Sequence, residues 1–389
     1  MLQAIDHGEC VFLVLLDLSA AFDTVSHQLL LARLNTDFGV TGSALEWIRS
    51  YLDNRTQSVV IADDASAPVH LKCGVPQGSV LGPDFFSDYS SPISAIIRSH
   101  GISVHCYADD TQLYASFRPG QTENAVLKKM EQCIVALREW MDSNKLKLND
   151  SKTEFVIFGS AARLSKVTTE SISIGDERIP ASSSVRNIGA YMDSRLKMEV
   201  HVTTMCRAAW FNLFRIGKIR RYLTRDQAKS VIHAYVTSKL DSNNALLTGS
   251  PSVLTRKLQR IQNAAARLIT GAKKGDHVTP ILKSLHWLPI HLRILFKLLL
   301  LTFKALNDAG PAYLKVLLDP YQPHRALRSS SDPLRLSIPV TRLMTYGDRS
   351  FSHAAPMQWN RLPANVRSCT TVASFKIALK TFLFKSYYM

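Results

Sequence analysis

The chain has 389 residues, 46% of them hydrophobic, which is enough to bury a core in two or three domains and excludes a disordered chain. Its net charge of +16 is unevenly spread: residues 1–200 hold 18 Lys and Arg against 24 Asp and Glu, whereas residues 201–389 hold 29 against 7. An acidic half joined to a strongly basic one points to an acidic site beside a polyanion-binding surface, and six cysteines with no C-x-x-C pair and no zinc spacing exclude a zinc module.

The opening "MLQAIDHGEC" carries two acids and no basic side chain, so it does not read as a secretory signal. The apolar run Val11 to Leu16 predicts a strand buried on both faces, with Asp17 at its end. Short helices follow in "HQLLLARL" and "ALEWIRSYL", and two short strands in "TQSVVIADDASAPVHLKCGV", joined by a loop of about seven residues around Pro68. A helix opens near Pro83, and "SVHCYADDTQLYASF" predicts a tight hairpin. Val126, Met130, Cys133, Leu137 and Trp140 recur at helical spacing, "KTEFVIFG" reads as another strand, and residues 161–185 as Ser/Thr-rich connecting strands. From about residue 200 the pattern turns helical, with a capping box at Thr224 and Gln227 and a helix from Ser252 closed by Gly271. After Pro311 come short strand-like pieces and a final amphipathic segment holding Phe375, Leu379 and Phe382. The longest apolar stretch, "ILFKLLLLTF", is broken by Lys297 and is too short to span a bilayer. We therefore expect a soluble nuclear or cytoplasmic protein, neither secreted nor membrane-bound, with its thiols buried in a reduced compartment.

The tripeptide Ala-Asp-Asp occurs twice, at Ala62–Asp64 and Ala108–Asp110. The second copy lies in a short turn between strand-like runs, which pins both carboxylates at a sheet edge; the first lies in a longer loop, where acids can simply face water. Asp17 adds a third carboxylate if its strand joins the same sheet. At ~4 Å and an effective dielectric near 20, each such pair costs about 4 kcal/mol, so the trio stays ionised only beside a cation. Hard oxygen ligands select Mg²⁺, and two such ions suit nucleotidyl transfer or phosphodiester hydrolysis. In the helix from Ser252, Arg256, Arg260, Asn263 and Arg267 form a polar stripe, which reads either as a phosphate-tracking surface or as a hydrated face.

The segments "LLDLSAAFDTVSH", "CGVPQGSVLGP", "HCYADDTQLY", "WMDSNKLKLNDSKTEFVIFG" and "SVRNIGAYMD", in this order, resemble the reverse transcriptase motifs of non-LTR (LINE-like) retrotransposons. "IQNAAARLITG", "SLHWLPI" and "HAAPMQWNRLP" resemble the region that follows in such elements. The resemblance implies an α+β polymerase palm with its primer-grip region over residues 1–200, a helical thumb over 201–310 and a basic C-terminal region over 311–389. It implies an RNA-directed DNA polymerase that extends a DNA primer on an RNA template with dNTPs and two Mg²⁺ ions, Mn²⁺ being the substitute ion. Asp17, Asp109 and Asp110 would hold the ions, and Lys152 would serve the leaving pyrophosphate. Phe22 would reject a 2′-hydroxyl, and Gln77 and Gly78 would line the nucleotide. Asn187, Ile188 and Gly189 resemble the primer grip, while Arg256, Arg260 and Arg267 would hold the template–primer duplex; Asp23 reads as structural. Relatives carry fingers and an endonuclease upstream, so the chain reads as truncated at its N-terminus. Relatives also read roughly "LGPLLFSLY" where this chain reads "LGPDFFSDY", so Asp84 and Asp88 depart from the pattern. The alternative reading is a catalytically dead, nucleic-acid-binding remnant. The oligomeric state is left open.

Overall fold

A computed structural model describes residues 1–175, 177–322 and 334–389. Cys10–Leu16 forms strand β1, seven residues with no charge and almost no exposure. Successive side chains Val11, Phe12, Leu13 and Val14 are all buried, so both of its faces are covered and apolar residues suit both. The other strands of its sheet are β2 (Ser103–Tyr107), β3 (Asp110–Phe117), β4 (Glu154–Phe158), β5 (Ser171–Ile174) and β6 (Glu177–Ser182), in the order β5-β6-β4-β1-β3-β2. Neighbours are antiparallel except β4 and β6. The architecture is therefore mixed α+β, as expected.

Helices α1 (His27–Thr36), α2 (Gly42–Leu52), α3 (Gly82–Ser90), α4 (Pro92–Ser99) and α5 (Glu123–Ser143) belong with this sheet. Met130, Cys133 and Leu137 of α5 are fully buried and share one apolar cluster with Phe12, Val14 and Phe155 of the sheet. Arg33 ties three helices together. It donates to the Tyr89 carbonyl at the end of α3 and to Asn144 just past α5 (2.7 Å), and lies over the Trp140 ring.

The first Ala-Asp-Asp departs from expectation. Residues 56–70 form two stacked ladders, Thr56–Gln57 with Val69–His70 and Val60–Ile61 with Asp64–Ala65. Ile61 pairs with Asp64, so Ala62 and Asp63 make a two-residue turn with Ala62 at φ 54°, and not the tip of a seven-residue loop. What separates the two copies is context. The first hairpin is exposed along its length, including Val60 and Ile61, and pairs with no other sheet.

The chain divides into two compact units, Gly8–Val185 and Leu2–His7 with Arg186–Met389. The division precedes residue 200 by about one hairpin and a turn. The second unit holds α6 (Glu199–Ile219), α7 (Arg225–Ile232), α8 (Ser252–Thr270), α9 (Ile290–Leu306), α10 (Phe351–Trp359) and α11 (Val372–Tyr388). Thr224 and Gln227 make the expected capping box on α7, and Gly271 ends α8 in the left-handed conformation. Past residue 310 the expected strand-like pieces reduce, among the described residues, to one bridge between Pro320 and Leu336. The expected final amphipathic segment is α11, with Phe375 and Leu379 buried beside Phe303 of α9 and Phe382 partly buried against them.

All six cysteines are free. Cys10 and Cys133 are buried, and burial pushes each thiol up to about 11; Cys73 and Cys106 are exposed, contrary to expectation. Among the described residues no helix is long and apolar enough to cross a membrane.

Candidate active site

The pairing of β1 with β3 ends with Leu16 opposite Thr111, so Asp17 leaves its strand beside Asp110, the first residue of β3. Tyr107 pairs with Asp110, which leaves Ala108 and Asp109 as a two-residue turn. Such turns need a positive φ at the first central position, and Ala108 adopts one of 52°. Three carboxylates thus gather at one end of two central strands. The Asp110 carboxyl is raised above its usual range by burial and then by the like charges of Asp109 and Asp17. Asp110 as a whole is exposed, so the like charges are the part of that shift that the strand geometry best supports.

Asp17 Oδ2 is buried and accepts no hydrogen bond; the Lys152 ammonium lies 3.3 Å away as its ion-pair partner. Lys152 is delivered there by backbone pairing. Beyond Asp17, Leu18 pairs with Leu148, and the Asn149 N–H donates to the Asp17 carbonyl (2.9 Å). The short turn Asp150–Lys152 is then held by Arg138, which donates to Asp150 at 2.5 Å. Among the described residues no three His, Cys, Asp or Glu side chains are gathered into a ready-made ion cage.

Phe22 is half-buried and stacks on Phe86 of α3, centroids 5.0 Å apart. The loop before α3 is pinned to it: the Val75 N–H donates to the Phe22 carbonyl and the Gly74 N–H to the Val25 carbonyl, both at 2.8 Å. Gly74 is required at φ 93°, since a Cβ there would lie 3.0 Å from the Asp23 carbonyl oxygen. The Gln77 amide donates to both Asp23 carboxylate oxygens (3.2 and 3.3 Å), which gives Asp23 its structural task. Gly78 has φ 80° and open space where a Cβ would stand. No spacing in the sequence announces the Asp23–Gln77 contact, because 54 residues separate the partners.

The remaining candidates lie in the second unit. Ile188 and Gly189 have positive φ (42° and 77°), and Asn243 donates to the Ile188 carbonyl (3.2 Å); Asn187 precedes them, half-buried. Leu254, Leu258, Ile261 and Ala265 form the buried stripe of α8, leaving Arg256 and Arg260 exposed and Arg267 half-buried, donating to the Asp276 carbonyl (2.9 Å). On α6 and the turn after it, Phe211, Phe214 and Tyr222 are 60–71% exposed, and Arg215, Lys218 and Arg221 lie over their respective rings at 4.7–5.6 Å. Arg220 does not share this freedom, because it caps the end of α8 through the carbonyls of Leu268 (2.7 Å) and Ile269 (2.8 Å).

Residues 2–192 match the family described as reverse transcriptase (RNA-dependent DNA polymerase). The chain is similar to the probable RNA-directed DNA polymerases from transposon BS and from transposon X-element of Drosophila melanogaster. Each is 26% identical, over 69% and 70% of this chain respectively and 30% of the relative. It also resembles the polymerase from mobile element jockey of the same organism, 25% identical over 53% of this chain and 22% of the relative. The chain thus spans under a third of the length of these relatives. Among solved structures, apo telomerase from Candida tropicalis is 12% identical over 73% of this chain and 47% of that one, with a TM-score of 0.36. Telomerase from Candida albicans with a TWJ fragment of telomeric RNA is 13% identical over 79% and 48%, with a TM-score of 0.32. Both scores are too low to bear on the site.

Proposed function

Residues 2–192 belong to the reverse transcriptase family, and from that premise we propose that this chain supplies the palm and thumb of an RNA-directed DNA polymerase of a non-LTR retrotransposon. In this reading residues 1–200 are the palm with its primer grip and residues 201–310 the thumb, while residues 311–389 form a basic C-terminal region without an assigned role. The substrates are dNTPs, a DNA primer and an RNA template. The observation that carries the reading is the strand pairing that brings Asp17, Asp109 and Asp110 to one end of β1 and β3.

The donor set fits a hard divalent cation. It is made of carboxylate oxygens alone, one of them the buried Asp17 Oδ2, which faces the Lys152 ammonium at 3.3 Å, and such a set suits Mg²⁺ or Mn²⁺. Bound by Asp17, Asp109 and Asp110, two such ions would stabilise the attacking and leaving oxygens of an in-line displacement. The side chains have their own tasks. The Lys152 ammonium, 67% exposed and already beside Asp17, can turn to donate to the leaving pyrophosphate. Phe22, braced by Phe86, presents a flat apolar edge that leaves a 2′-hydroxyl without a partner. Gly78, with no side chain to intrude, permits close approach of the nucleotide to the backbone beside Gln77. Asn187 and Gly189 would position the primer end. Arg256, Arg260 and Arg267 would neutralise duplex phosphates, and the cation-backed rings of α6 add stacking surface for unpaired bases.

Primer extension on poly(rA)/oligo(dT) tests this. We expect extension with Mg²⁺ that is lost by at least about a hundredfold in Asp109→Asn. The second reading, a remnant that binds nucleic acid without catalysis, is favoured by Asp88. Its half-buried carboxyl is raised by burial and by Asp84, a defect in a helix that braces Phe22. Salt-dependent binding without extension would support that reading.

A further inference from the structure

A cavity of about 630 Å³ in the second unit is lined by four lysines: Lys229 of α7, Lys297 of α9, and Lys376 and Lys380 of α11. The last two stand one helical turn apart, a like-charge spacing that opposes the helix. A single carboxylate, Asp241, lines the cavity among the described residues, and it is committed to Arg293, which donates to both its oxygens. Among the described residues none of the four lysines has a carboxylate within ion-pair distance.

A further feature of the wall is His233, whose ring lies 5.4 Å from that of the buried Trp287, centroid to centroid. It opens a π-helical turn, His233–Thr237, a local loosening that recurs at functional sites. The imidazole is held below its usual value by burial, then by Arg293 and Lys229, with Asp241 opposing and Lys380 adding to the effect.

We propose that this cavity binds a compact polyphosphate. Its linked phosphates would spread several negative charges over the four ammonium groups. The volume lies in the range of small-molecule sites, about 300–1,000 Å³. This site is lined by residues of the second unit alone and does not depend on the polymerase reading. The phosphates can come as an inorganic chain or as a nucleoside triphosphate, and the experiment distinguishes the two.

The full chain, in EDTA so that no divalent ion assists binding elsewhere, is titrated by calorimetry with inorganic tripolyphosphate and, separately, with ATP. The His233 ring-proton resonance is followed against pH in parallel. We expect saturable binding of tripolyphosphate that weakens about tenfold or more in the Lys376→Gln/Lys380→Gln double variant and is unchanged in Lys129→Gln, an exposed lysine of the first unit. The His233 titration should move to higher pH when ligand is bound. Tighter binding of ATP would identify a nucleoside triphosphate as the source; equal or weaker binding would identify the phosphate chain alone. The proposal is overturned if no saturable binding occurs, if the double variant binds as the parent does, or if His233 stays unmoved while ligand binds. Circular dichroism of the double variant guards against loss of fold; should it unfold, the His233 shift in the parent decides.

Discussion

Asp88 stands on α3, one turn from the buried Phe85. Burial raises its carboxyl, and the neighbouring Asp84 raises it further. A raised folded-state value means that ionisation costs stability, so the penalty grows as pH rises through that range and is absent below the unfolded value of about 3.9. Asp88→Asn should therefore unfold about 1–2 °C higher at pH 7, and the difference should close near pH 3; a scanning-calorimetry series across pH reads this. Asp110 carries the same sign of shift, from burial first and then from the charges of Asp109 and Asp17. A change that helps the fold there would harm the chemistry proposed. Asp17 and Asp110 could be anticipated because one follows an apolar strand and the other opens a strand after a tight turn, and carboxylates at such places have few structural uses. The ion pair with Lys152 was harder to foresee as geometry, because it rests on the backbone bond from Asn149 to Asp17.

At the scale of elements, Glu123 shows how one side chain fixes a helix to a loop. It opens α5, almost fully buried, and its Oε1 accepts from the N–H and hydroxyl of both Thr168 and Thr169 at 2.7–3.0 Å. Burial alone would raise this carboxyl, but the four hydrogen bonds outweigh it and hold it below the usual range. Its contribution is thus present above the unfolded value and lost as pH falls through the lowered one. Glu123→Gln should cost about 1–3 kcal/mol at pH 7, with a smaller cost in acid, measured by urea unfolding. Nothing in the sequence marks Glu123, because its partners lie 45 and 46 residues away. By contrast α5 and α8 were legible, since each keeps a strict helical period of apolar side chains against a packed core. The stacked ladders at 56–70 were half-legible. Their β-branched residues promised strands, but a hairpin exposed along its length leaves no in-and-out alternation to set its register. The π turn at His233 leaves no trace in periodicity, for one slipped residue is lost in the noise of a short helix.

For the whole molecule, the contrast in charge between residues 1–200 and 201–389 is the property most easily measured. Affinity for an RNA–DNA duplex should fall steeply with salt, and Arg256→Gln/Arg260→Gln should reduce the log–log slope by about 1.8. An unchanged slope, read by fluorescence anisotropy, would mean that this stripe only meets water. The order of the first sheet has a further outcome, felt during protein synthesis. Val11 pairs with Phe158, so the central strand leaves the ribosome long before its last neighbour is translated. At about 5–20 residues per second it waits about 7–30 s before both of its edges can be paired. Nascent chains stalled before residue 158 should therefore need a holding chaperone to stay dispersed, and messages cut short there should yield insoluble product.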